Sequence, residues 1–118
     1  MRSATKKRIG KHPLYLHWIH TLPCCVCQSH IERCEDININ QSRTQWTQTT
    51  KTEAAHLGPR GLSQKVPDRR VVPLCGYHHR DAVASLHALG PKVFWMLHGL
   101  DPEELIRSFN ARFEAGER

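Results

Sequence analysis

The chain has 118 residues, with 17 Lys and Arg against 11 Asp and Glu and a formal charge of +6, enough for one domain with a small core that a staple would help to hold. No apolar run approaches a membrane span and the first residues lack the hydrophobic stretch of a secretory signal, so no membrane partner and a cytoplasmic location are expected. The basic surplus favours a polyanion partner, although charge alone does not separate DNA from RNA or an acidic membrane.

In chain order, Arg2, Lys6, Lys7, Arg8 and Lys11 stand among almost no apolar residues, and residues 1–12 are expected to form a flexible basic arm. Residues 13–118 are expected to form a single domain. Pro13 to His20 predicts a short helix with Leu14, Trp18 and Leu22 on one side. It delivers the chain to Pro23 and the run Cys24-Cys25-Val26-Cys27. From Gln28 to Thr50 the sequence turns polar, which predicts a surface insertion over 28–51, with a ribbon containing Ile37, Ile39 and Trp46. Thr52 to Leu57 reads as a strand in which Thr52, Ala54 and His56 share one face and Glu53, Ala55 and Leu57 the other. A long loop follows, carrying Arg60, Lys65, Arg69 and Arg70, which would face a bound phosphate. Val71 to Leu74 is the second strand.

A helix is expected from about His78 to Leu89, capped by Gly90, with Pro91 opening the next short helix. Gly99 ends that one. Asp101-Pro102-Glu103-Glu104 is a strong helix start, and Leu105, Ile106, Phe109 and Phe113 then form an apolar stripe at spacings of three and four. Residues 91–118 are thus C-terminal helices.

The chemistry lies in two half-sites. Cys24 and Cys27 are spaced C-x2-C, and Cys75 and His78 are spaced C-x2-H. Two thiolates plus a thiolate and an imidazole supply four ligands for tetrahedral Zn2+, and a closed set of this kind is structural, with no position left for substrate. An odd cysteine count, 5 in all, with three crowded at 24, 25 and 27, suits metal binding in a reducing compartment better than a disulfide framework. Cys25 and Cys34 remain as free thiols. Once zinc takes His78, His79 is left over, and with His56 it forms the candidate active site.

Strand, long loop, strand and helix, with His56 ending the first strand and Leu74-Cys75-Gly76-Tyr77-His78-His79 opening the helix, resembles the ββα-metal fold of the HNH endonucleases. The run His56 to Gly61, Lys65, Asp68, Val72-Pro73-Leu74-Cys75, His78-His79 and His87 is most similar to small HNH proteins of phage type, among them a RecA-dependent phage nuclease. The resemblance implies an α+β fold with a zinc-stapled ββα-metal core between N-terminal and C-terminal helices. It implies a DNA endonuclease acting in a bacterial or phage-infected cell, with a recombination or phage protein as a further partner. His56 would be the general base, His79 a ligand of a catalytic Mg2+ or Mn2+ and His87 a further site residue, with Arg60 and Arg69 among the phosphate contacts.

The chain departs from that pattern in three places. Ala55 stands where an Asp or His metal ligand commonly precedes the base, and the central asparagine has no equivalent. Four residues after His79 comes Val83, and His87 is a further turn away. On a continuous helix it would lie about 12 Å from His79. Three sets therefore stay open for the cation: His79 with Asp68, with Glu53, or with His56. A second class of function also stays open, a zinc-stabilised nucleic-acid-binding module without catalysis.

Overall fold

The computed structural model describes residues 10–36, 48–58 and 66–117. Helix α1 covers Pro13–His20 and α2 Cys25–Asp36; strands β1, Thr52–His56, and β2, Val71–Cys75, follow, with a 3-10 turn at Asp68–Arg70 between them. After β2 come a π-helical turn, Tyr77–Asp81, and helices α3, Leu86–Leu89, α4, Pro91–His98, and α5, Pro102–Glu114. This is a small α+β fold built on a two-stranded antiparallel sheet, in which Thr52 pairs with Cys75 and His56 with Val71. Pro73, opposite Ala54, is tolerated because each strand of a two-stranded sheet has a free edge.

All five residues of β2 are buried. Helix α1 packs on both strands and α5 on β2. Between them lies an aromatic cluster: the Phe113 ring is 5.1 Å from Tyr15 and 5.5 Å from Trp18, and the Arg112 guanidinium covers Phe109 at 5.1 Å. The stripe expected on α5 is the stripe that is buried, with Ile106, Phe109 and Phe113 inside the core. The Asp101 side chain accepts from Glu103 N at 3.0 Å, the N-cap that the sequence predicts.

Four expectations change. Helix α1 turns Tyr15, Trp18 and Ile19 inward, while Leu14 is 69% exposed. The polar stretch from Gln28 begins as helix, since α2 runs to Asp36; the ribbon of Ile37, Ile39 and Trp46 lies outside the described residues. The arm read to residue 12 is fixed from Gly10 onward, where Asp68 N donates to Gly10 O at 2.7 Å, and residues 1–9 lie outside the described set. The helix expected over 78–89 breaks at Ala82, whose ψ of 153° is extended, and restarts at the Ser85 N-cap, whose hydroxyl accepts from Ala88 N. Among the described residues no helix is long and apolar enough to cross a membrane.

Candidate metal centre and neighbouring histidine sites

Pro23 leads the chain into α2 so that Cys24 immediately precedes the helix and Cys27 stands on its first turn, and Cys27 N lies 3.5 Å from Cys24 Sγ. Gln48 ties this knuckle to the sheet. Its Oε1 accepts from Cys24 N at 2.7 Å and its Nε2 donates to Thr52 Oγ1 at 2.9 Å. Cys75 ends β2 opposite Thr52, and the turn after Gly76 brings His78 back over it. The four side chains are buried and their ligand atoms lie within 4.8 Å of one another.

Their spacings fit one ion. With Zn–S near 2.3 Å and Zn–N near 2.0–2.1 Å, a tetrahedron has S···S edges of about 3.8 Å and S···N edges of about 3.5 Å. The Cys27 and Cys75 sulfurs are 3.9 Å apart, and His78 Nδ1 is 3.7, 3.6 and 3.3 Å from Cys24, Cys27 and Cys75. Hydrogen bonding from Cys27, against an opposing effect of burial and with support from His78, lowers the Cys24 thiol pKa, the direction that favours the thiolate a metal requires. Burial drives the Cys25 thiol the other way, leaving it an inert filler beside the cluster. The protein thus carries a buried Cys3His group that can hold zinc.

Beside it, Glu53 on β1 reaches the π-helical turn. Its Oε1 lies 2.8 Å from His79 Nδ1, and its Oε2 accepts from Arg80 at 2.6 Å. The Arg80 hydrogen bond, opposed by burial and helped by His79, keeps the Glu53 carboxyl below its usual range. The break at Ala82 folds α3 back, so that the rings of His79 and His87 meet at 4.5 Å between centroids, far closer than a continuous helix allows. Glu53 and His87 therefore both touch His79.

His56 stands apart from this group. It is the last residue of β1, three positions beyond Glu53, so it leaves the opposite face of the strand, about 10 Å further along. There its Nε2 lies 3.0 Å from Asp68 Oδ1. His56 and His79 thus meet different carboxylates, Asp68 and Glu53.

Of the expected phosphate contacts, Arg60 and Lys65 lie outside the described residues. Arg69 and Arg70 are described, and both turn to α5. Arg69 donates to Asn110 and Glu114 and lies over the Tyr15 ring, while Arg70 donates to Glu103 and to Leu57 O. A phosphate would have to compete with those carboxylates. Gln48 went unremarked in the sequence, where one glutamine in a polar run carries no signal. The Ser85 N-cap was a readable helix start, and with it the approach of His87 to His79 could have been inferred.

Comparison with protein-family models, with curated proteins and with solved structures found no match.

Proposed function

We propose that the protein is a divalent-cation-dependent DNA endonuclease of the HNH type, with Cys24, Cys27, Cys75 and His78 holding a structural zinc in a ββα-metal core. The observation that carries the reading is the meeting of Glu53 and His87 at His79, beside a closed metal cluster and on the turn that follows β2. His79, with Glu53 and His87 beside it, would hold the cation, which would have to replace the Glu53 contacts to His79 and Arg80. A cation there supplies charge neutralisation for the phosphate and the departing oxygen.

His56 takes the remaining task. Its ring is 36% exposed, open enough for water to reach it. One ring nitrogen accepts the proton of the attacking water as the new P–O bond forms, and the P–O bond to the leaving strand breaks on the far side of phosphorus. An in-line displacement would need His56 and the cation on opposite sides of the phosphorus, with the entering and leaving oxygens between them. The formal charge of +6 favours the polyanion substrate.

A second reading, a zinc-stabilised nucleic-acid-binding module without catalysis, is favoured by Ala55 in place of an acidic ligand and by the missing central asparagine. Nicking of supercoiled plasmid separates the two. Zinc-loaded protein with Mg2+ or Mn2+ is expected to nick, and His56→Ala and His79→Ala, at matched zinc content, to lose activity by about 10²-fold or more. Intact DNA binding with no nicking under either cation would overturn the nuclease reading and leave the module.

A further inference from the structure

We propose that Asp68 is the positioning residue of His56, fixing the ring so that Nε2 keeps its hydrogen and Nδ1 is presented to water; this rests on the nuclease reading above. Asp68 is only 5% exposed, and both its carboxylate oxygens and its N–H are engaged. Oδ1 lies 3.0 Å from His56 Nε2, Oδ2 accepts from His12 N at 2.7 Å, and its own N–H donates to Gly10 O. A carboxylate turned inward, with one oxygen held by a backbone N–H and the other at His56, is poorly placed to ligate a cation. It is well placed to orient a histidine.

The backbone around it is rigid on both sides. His56 pairs with Val71 at the end of the sheet, and Leu57 N donates to Arg70 O at 2.8 Å. Arg70 N donates to Pro67 O at 3.0 Å, closing the 3-10 turn that begins at Asp68. The carboxylate and the imidazole are thus set by two strand ends joined through backbone hydrogen bonds, and neither needs to search for the other. Burial works to raise the Asp68 pKa, but the hydrogen bonds from His56 and His12 outweigh it and hold the carboxyl below its usual value. The group stays an acceptor. With Asp68 accepting from Nε2–H, the lone pair of a neutral His56 ring sits on Nδ1. When Nδ1 takes the water proton, the imidazolium that forms is stabilised by Asp68, which itself takes up no proton.

The test compares the full-length zinc-loaded parent with Asp68→Asn, His56→Ala and the double variant. Plasmid nicking gives kcat and KM, and nitrogen-15 spectra of the histidine rings give the tautomer. Asparagine keeps the shape and an acceptor for His12 N but loses the charge. Asp68→Asn is expected to lower kcat at least about tenfold, within what a general base contributes, with KM for the plasmid unchanged. In the His56→Ala background it should cost nothing further, because a residue that acts through His56 has nothing left to act on. The parent spectrum should show His56 with hydrogen on Nε2 and a bare Nδ1, and Asp68→Asn should lose that preference. Full kcat in Asp68→Asn, equal further loss in the His56→Ala background, or a parent His56 with hydrogen on Nδ1 would each overturn the proposal. A parent that does not nick sinks the nuclease reading instead. The spectra then decide Asp68 alone: a bare Nδ1 in the parent, lost in Asp68→Asn, upholds the positioning of His56, and an unchanged ring overturns it.

Discussion

Asp68 puts a charge inside a small protein, and at the scale of single residues its stability contribution has a definite sign. Its carboxyl titrates lower in the folded state than in the unfolded chain, where an aspartate titrates near 3.9. The contribution is therefore present in full above about pH 4 and is lost as pH falls through the lower folded value. Asp68→Asn should cost about 1 kcal/mol at neutral pH, the scale of one hydrogen bond involving a charged group less what asparagine retains. Urea denaturation of both proteins, carried down to the lowest pH at which zinc stays bound, should show a gap that is constant to about pH 4 and then narrows. A gap that widens on acidification would contradict the assignment. The Asp68 contacts were beyond reach of sequence reading because they join distant segments: His12 and Asp68 are 56 positions apart. The Cys3His group was legible for the opposite reason, since each half-site is a local spacing within one turn of chain.

At the scale of elements, the break at Ala82 matters most, because it turns what reads as one helix into a π-helical turn and the short α3. No glycine or proline stands between Tyr77 and Leu89, so helix propensity alone runs straight through. The first piece ends where Ala82 turns extended, its N–H donating to Tyr77 O; what restarts the second is Ser85, fully buried with its hydroxyl accepting from Ala88 N at 3.2 Å. Ser85→Ala should cost about 1 kcal/mol, the usual value of an N-cap, and lower the melting temperature by roughly 4 °C. An unchanged melting curve at equal zinc content would show that α3 does not need this cap. The second strand was readable as a short apolar run, and the last two helices from Pro and Gly punctuation. The turning of Arg69 and Arg70 toward α5 was not, because a basic loop residue looks the same in sequence whether its partner is a phosphate or a distant glutamate.

For the whole molecule, the cluster joins α2, the end of β2 and the turn after it, so three elements converge on four side chains. Binding of structural zinc contributes about 10–16 kcal/mol near neutral pH, comparable with or above the entire net stability of an ordinary domain, about 5–15 kcal/mol. A chelator, or Cys75→Ser, is expected to abolish most of the helical circular dichroism together with the bound zinc. Helicity that survives complete removal of the metal would mean that the aromatic cluster of Tyr15, Trp18, Phe109 and Phe113 sustains the fold unaided. The same cluster has a consequence for how the chain can vary. Cys27 and Cys75 are 48 positions apart, and the entropy of closing such an interval grows only with the logarithm of its length, so that doubling it costs about 0.6 kcal/mol. Residues can be inserted between the half-sites, outside the elements that carry the ligands, at little thermodynamic cost, whereas one residue inserted inside either half-site would take a ligand out of the tetrahedron.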